Sequence, residues 1–185
     1  MFVYLQNIYR FIAKIWVYYV KLSFFMKKLI LAFCMLAISS IAMAQMPKVV
    51  LNDINGNAVS TDTLGTHGTP VIIDFFATWC KPCNREMSAI ADVYEDWQKE
   101  TGVRLVAISI DQAQNINKVK PLVEENAWPW ELVLLDPNSD LKRALGIQMI
   151  PYVLIIDGKG KIVYKHNGYT DGAEDELIEK IRELK

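Results

Sequence analysis

The sequence predicts a single α/β domain of three layers, in which helices cover both faces of a mixed central β-sheet. Two observations carry this prediction. Short apolar runs alternate with longer amphipathic stretches over residues 71–145, a pattern typical of parallel strands joined by helices. Two further apolar runs near the C-terminus are separated only by a turn, which adds antiparallel strands. The length of 185 residues fits one such domain.

The first predicted elements are an N-terminal β-hairpin and a buried strand. Residues 48–51 and 58–60 flank Asn55-Gly56, a dipeptide that favours a tight hairpin turn. The run 71–76 is short and rich in β-branched and aromatic residues, so it predicts a strand buried on both faces. Asp74 interrupts this run; a carboxylate there is costly unless it is paired, protonated or turned toward a wet edge.

The remaining elements alternate between helical and extended patterns until a C-terminal hairpin. Helices are predicted over residues 84–98, 115–125, 139–145 and 171–184. Strands are predicted over residues 103–110, 132–135, 152–156 and 161–166. Pro121 lies inside the second helix and predicts a kink or a later start. Trp128 and Trp130 are expected to pack against the sheet edge.

The N-terminal segment 1–44 predicts a leader that precedes the domain. Residues 26–44 have the layout of a secretory signal peptide, with two lysines, an apolar core and small residues at a cleavage position. We expect cleavage before Gln45 and translation from Met26. An uncleaved membrane anchor in this segment is the alternative. Cys34 is interpreted as a small apolar residue of the signal core.

Charge separates the leader from the expected domain over residues 45–185. Five of the 20 basic residues and none of the 21 acidic residues lie in the leader, so the domain holds 15 basic against 21 acidic residues, a net charge of −6. An acidic domain offers no electrostatic basis for binding nucleic acid.

The motif Trp79-Cys80-Lys81-Pro82-Cys83 joins the buried strand to the helix that follows it. Pro82 fits the first turn of that helix, where a missing N–H costs nothing. The Cys80 sulfur is therefore expected near the positive end of the helix, a position that lowers the pKa of a thiol, and Lys81 adds to the effect. A thiolate with a second cysteine in reach is a dithiol–disulfide couple.

Three other interpretations of the two cysteines stay open from the residues alone. A structural disulfide would close a very small loop and stabilise the fold little. A zinc site would need further ligands, and only Cys34, His67 and His166 remain as Cys or His candidates. A peroxidatic cysteine would need a proline and a threonine upstream, where Ile73 and Ala77 stand.

Residues 75–83 resemble the active-site signature of the thioredoxin superfamily, and the exported TlpA/ResA-like thiol–disulfide oxidoreductases look closest. Asp74 falls where thioredoxins carry a buried aspartate. Glu86 falls where ResA-like proteins carry an acidic residue near the disulfide. The resemblance implies a thioredoxin-like fold.

Two further segments support this resemblance. Ile150-Pro151 falls where the superfamily has a cis-proline beside the cysteines. Residues 115–135 correspond to an αβ element that is inserted in the TlpA/ResA-like branch. The resemblance extends over residues 48–184, which is nearly the whole expected domain.

The resemblance implies a protein-disulfide reductase with Cys80 as the nucleophile and Cys83 as the resolving cysteine. Asp74 and Glu86 would move protons to and from Cys83, and removing the negative charge of Glu86 should lower the pKa of the thiol. The substrate-binding residues would be Trp79, Lys81, Pro82, Ile150 and Pro151, with the backbone beside Pro151 holding an extended partner chain.

The implied partners are exported proteins with disulfides or thiols and a membrane electron donor that re-reduces the pair. The resemblance implies a periplasmic or cell-envelope monomer that needs no metal or organic cofactor. Cytochrome c maturation and redox homeostasis are tasks common in the family. A disulfide-forming oxidase of the same fold, and a non-catalytic binding module that uses the tryptophan-rich surface, are the alternative functions.

Overall fold

The computed structural model describes residues 45–184 together with Trp16. The expectations for the leader, which concern Met26, Cys34 and cleavage before Gln45, lie outside the described residues. Among the helices of the described part, none is both long enough and apolar enough to cross a membrane.

Seven strands and four α-helices form the domain. The strands are β1 (Val50–Asp53), β2 (Ala58–Ser60), β3 (Val71–Phe76), β4 (Arg104–Ser109), β5 (Leu132–Leu135), β6 (Tyr152–Ile156) and β7 (Ile162–Asn167). The helices are α1 (Lys81–Thr101), α2 (Val119–Glu125), α3 (Asp140–Ala144) and α4 (Glu174–Arg182). Two short 3-10 helices lie at Thr61–Thr63 and Ile116–Lys118.

All seven strands belong to one mixed sheet, in the order β2-β1-β5-β4-β3-β6-β7. Strands β3, β4 and β5 are parallel to one another, because helices connect them. The terminal hairpins β1–β2 and β6–β7 pair antiparallel and extend the sheet on both sides. This topology confirms the predicted three-layer α/β class with a mixed sheet and an N-terminal hairpin.

The core has two layers, one on each face of the sheet. One layer packs Ile72 and Phe76 of β3 against Met87 of α1 and Leu177 of α4. The other layer lies on the opposite face of the sheet, where the alternate residues of β3 pack on the side that carries α3. Since side chains alternate along a strand, Asp74 lies on the same face as Ile72 and Phe76, beneath α1.

The register of the central strands brings three connections to one end of the sheet. Phe76 pairs with Ser109 at the ends of β3 and β4, and Phe75 pairs with Tyr152 at the start of β6. The segments that follow β3 and β4, and the segment that precedes β6, therefore meet at this end. The Trp79–Cys83 motif, residues 110–111 and Ile150-Pro151 all belong to these segments.

Two of the element boundaries that differ from the sequence-based prediction are informative. Helix α1 continues to Thr101 and ends at Gly102, whose φ of 72° closes the helix in the left-handed conformation. The helix predicted over residues 115–125 is divided into a 3-10 turn and α2, so Pro121 lies in the first turn of α2, where proline is tolerated. The predicted later start is therefore correct.

Candidate active site

The two cysteines lie where β3 gives way to α1. A tight turn closes this connection, with the Cys80 N–H donating to the Ala77 carbonyl at 3.0 Å. Cys80 is the N-cap of α1 and Pro82 occupies its first turn. The first backbone N–H groups of the helix consequently point toward the cysteines.

Cys80 and Cys83 form a disulfide, with their Cα atoms 5.3 Å apart. The Cys83 N–H donates to the Cys80 sulfur at 3.3 Å, so a helix N-terminal amide already contacts the atom that would carry the thiolate charge. Cys80 is 6% exposed and Cys83 is 0% exposed. Cys80 is thus slightly more accessible than Cys83, although both residues are buried.

Asp74 lies in the interior of β3 with no exposed surface. Neither of its carboxyl oxygens has a hydrogen-bond partner. Burial raises the pKa of Asp74 to about 8, because a charged carboxylate is poorly solvated there. The wet-edge interpretation of Asp74 is therefore wrong, and the group is mostly protonated at neutral pH.

Glu86 is also buried, on the face of α1 that covers Asp74, and its Oε2 atom has no hydrogen-bond partner. Burial raises the pKa of Glu86 to about 9, and the negative charges of Asp74 and Glu174 act in the same direction. The two acids are thus close enough to interact. Both have pKa values near that of a thiol, about 8.5, which makes proton exchange with a cysteine nearly balanced in energy.

The residues around the disulfide present apolar surface to solvent. Trp79 is 64% exposed, and Lys81 and Pro82 are also exposed. A cavity of about 470 Å³ lies beside Trp79, between the motif and the inserted segment. It is lined by Thr78, Trp79, Asn115, Asn117, Lys118, Pro121, Leu122 and Glu125.

The peptide bond between Ile150 and Pro151 is cis. The Pro151 carbonyl accepts a hydrogen bond from the Gly168 N–H at 2.8 Å, and proline has no N–H of its own. Ile150 is half-buried. Met149, just before it, is exposed.

One buried polar cluster at the site was not predicted from the sequence. Asp111, two residues after β4, accepts hydrogen bonds from the Thr78 N–H and the Thr78 hydroxyl, each at 2.7 Å. Ser109 donates to the same carboxylate at 2.9 Å. An acidic residue just beyond a buried strand could have drawn notice, but its partner lies 33 positions away.

A disulfide at a helix N-terminus, above buried acids in a thioredoxin-like sheet, defines the class of thiol–disulfide oxidoreductases. Residues 42–165 match the AhpC/TSA family, and the chain belongs to this family.

Individual relatives agree with this assignment. The chain is similar to a thioredoxin-like protein from Porphyromonas gingivalis of known solution structure, with 59% identity over 76% of this chain and 92% of that one and a TM-score of 0.68. It is 29% identical to the thiol-disulfide oxidoreductase ResA of Halalkalibacterium halodurans, over 73% of this chain and 72% of the relative. It is 29% identical to the thiol:disulfide interchange protein DsbE of Haemophilus influenzae, over 66% and 64% of the two chains. The resemblance stated from the motif is confirmed.

Proposed function

We propose that the protein reduces disulfides of exported proteins through the Cys80/Cys83 pair. The observation that carries this proposal is the asymmetric disulfide at the start of α1, in which Cys80 keeps a small exposed area and Cys83 has none. Cys80 is the nucleophile and Cys83 the resolving cysteine. Trp79, Lys81, Pro82, Ile150 and Pro151 contact the partner chain.

The first step is attack of the Cys80 thiolate on a disulfide of the partner. A bond forms between the Cys80 sulfur and one partner sulfur while the partner S–S bond breaks. The second partner sulfur leaves as a thiolate and takes a proton from solvent. The product is a mixed disulfide between the two proteins.

The second step resolves this intermediate. The fraction of the buried acid pair that is ionised takes the proton of the Cys83 thiol. The Cys83 thiolate attacks the Cys80 sulfur, so the bond between Cys80 and the partner breaks, and the first partner sulfur leaves as a thiolate that takes a proton from solvent. Two electrons have then passed from the dithiol to the partner disulfide. The structure holds the oxidised pair.

Asp74 and Glu86 are proposed as the proton carriers of the second step. Both are buried on the α1 side of the sheet and both lack a full set of hydrogen-bond partners. A carboxyl with a pKa of about 8 or 9 gives up a proton almost as readily as a thiol does, so it can serve in both directions of the reaction.

The cellular setting follows from the leader and the family resemblance. Residues 26–44 direct export, residues 45–185 form the catalytic domain, and a membrane electron donor returns the pair to the dithiol state. The protein acts as a monomer in the periplasm or cell envelope, in redox homeostasis, with apocytochromes c among its candidate substrates.

Trapping of partners tests the proposal. A Cys83→Ser variant should attack a partner disulfide and remain bound to it, because no resolving thiol is present. The adduct should run as a higher-mass band on a non-reducing gel and disappear on addition of reductant. Mass spectrometry of the band would identify the exported substrate.

Cys80→Ser is the matched control, since it also leaves one cysteine in the pair. It should trap nothing, because the remaining sulfur is fully covered. Trapping by Cys80→Ser alone would reverse the two roles. No trapping by either variant, together with no reduction of insulin by the wild type, would overturn the reductase function.

The direction of electron flow is tested by the reduction potential of the pair. A reductase should have a potential near the thioredoxin end of the range of roughly −270 to −120 mV found for this fold. Equilibration with glutathione at fixed ratios, read by mass after thiol alkylation, would measure it. A value at the oxidising end would assign the protein to disulfide formation instead.

A further inference from the structure

Asp111 and Thr78 connect the active-site turn to the end of β4. The carboxylate accepts from the Thr78 N–H through Oδ2 and from the Thr78 hydroxyl through Oδ1, both at 2.7 Å. The Ser109 hydroxyl donates to Oδ2 at 2.9 Å and accepts from the Asp111 N–H at 3.1 Å. Asp111 is only 1% exposed.

This arrangement satisfies a group that the turn leaves without a partner. In the turn closed between Ala77 and Cys80, Thr78 and Trp79 are the two central residues. The N–H of the first central residue has no partner within such a turn. A buried carboxylate is costly unless several donors surround it, and here the three donated hydrogen bonds all come from the turn or from the adjacent strand.

The hydrogen bonds between Asp111 and Thr78 affect the Cys80 sulfur by fixing where that sulfur lies. Thr78 precedes Cys80 by two residues, so fixing Thr78 also fixes the entry of the chain into α1. The Cys80 sulfur accepts its stabilising contact from the Cys83 N–H at 3.3 Å, and this contact requires Cys80 to be held as the N-cap of α1. The contact therefore depends on where the turn is held.

We propose that Asp111 is a positioning residue for thiol–disulfide exchange, which holds the Thr78–Cys80 turn so that the Cys80 sulfur stays at the N-terminus of α1. The proposal rests on the proposed function, in that it concerns the same nucleophile. A residue just beyond β4 thereby contributes to the chemistry of the cysteine that lies at the β3–α1 connection.

The sign of the effect distinguishes positioning from charge. Removing a negative charge near a thiolate lowers the pKa of the thiol if charge alone matters. Loosening the turn withdraws the helix N-terminus from the sulfur and raises that pKa. The other ionisable groups that are assigned an effect on the cysteines remain unchanged in every variant compared. They are Lys81, Asp74 and Glu86.

The experiment measures the rate of Cys80 alkylation against pH in the reduced full chain, together with urea unfolding. In Asp111→Asn the midpoint should rise by about half a pH unit, and the rate at pH 7 should fall about threefold. Thr78→Val keeps the shape of the side chain but loses the hydroxyl, so its alkylation rate at pH 7 should fall about twofold. Thr78→Ser keeps the hydroxyl and should restore the wild-type profile.

Thr61→Val is the matched control. Thr61 is a fully buried threonine outside the active-site turn that also makes two backbone hydrogen bonds, to Pro47 and Val49. It should lose stability while keeping the wild-type alkylation profile.

Two outcomes would overturn the proposal. A midpoint that falls in Asp111→Asn would mean that charge and not position dominates. Midpoints unchanged in Asp111→Asn and Thr78→Val, with only stability reduced, would leave Asp111 a purely structural residue. Because alkylation needs no protein substrate, these outcomes are separate from a failure of insulin reduction, which concerns the proposed function.

Discussion

At the scale of single residues, the protonation state of Glu86 decides what it does to the cysteines. The sequence places an acidic residue one turn beyond Cys83, where it is expected to move protons and to carry a negative charge near the thiol. Burial and the nearby Asp74 raise the pKa of Glu86 to about 9, so the side chain is neutral at pH 7. Its electrostatic effect on the thiols is consequently confined to alkaline pH.

Glu86→Gln should therefore leave the alkylation rate of Cys80 below pH 7 within about twofold of the wild type, because a neutral group replaces a neutral group. Above about pH 8 the variant should react faster, since only the wild type acquires a charge that opposes the thiolate. Stopped-flow alkylation between pH 5 and 10 would measure this.

Glu95→Gln, on the exposed side of α1, controls for the substitution itself. A difference at pH 6 as large as that at pH 9 would mean that Glu86 is already ionised at neutral pH.

At the scale of elements, Trp128 attaches the inserted segment, residues 115–135, to helix α1. The Trp128 Nε1–H donates to the Ser88 hydroxyl of α1 at 3.1 Å. The Trp128 ring meets Phe76, the last residue of β3, edge to face at 6.4 Å between centroids. The insertion therefore packs onto both elements that carry the disulfide.

Ser88→Ala should reduce the free energy of unfolding by about 1–2 kcal/mol, because the indole N–H loses its acceptor inside the core. Trp128→Phe should also destabilise, through the lost ring volume. The double variant should lose less than the sum of the two, since no orphaned donor remains. Urea unfolding of the four proteins would measure the coupling, and strict additivity would show that the hydrogen bond contributes nothing.

The elements themselves were predictable where local patterns decide them. The run 71–76 matches β3 at both ends, because its β-branched and aromatic residues suit a fully buried strand. The helix predicted over residues 171–184 begins later, at Glu174. The pairing of Asp111 with Thr78 could not be predicted, since it depends on the register between β3 and β4, which no local pattern specifies.

At the scale of the whole molecule, Asp74 makes the stability of the fold depend on pH. Its pKa is about 8 in the fold and 3.8 in an unfolded chain. Well below pH 4 both states are protonated, and the titration of Asp74 adds no dependence of stability on pH. Between pH 4 and 8 only the unfolded state gives up the proton, so stability falls by up to about 1.4 kcal/mol per pH unit.

Asp74→Asn should remove this contribution. The free energy of unfolding of the oxidised wild type should fall from pH 5 to pH 8 more steeply than that of the variant, with the difference on the order of a few kcal/mol. Glu86 contributes a slope of the same sign, so the variant keeps part of the dependence. Urea unfolding at both pH values gives the comparison.

Asp92→Asn, on the exposed surface of α1, should leave the wild-type slope intact. Parallel slopes for Asp74→Asn and the wild type would show that Asp74 is already ionised in the fold.

The recessed position of the Cys80 sulfur has a consequence for the choice of clients. Trp79 and Met149 project into solvent from the same end of the sheet, whereas Cys80 as a whole residue is only 6% exposed. A disulfide embedded in the flat surface of a native protein cannot approach such an atom, but a flexible loop or an unfolded segment can. Under the proposed function, the enzyme would spare the disulfides of mature proteins and act on chains that have not finished folding.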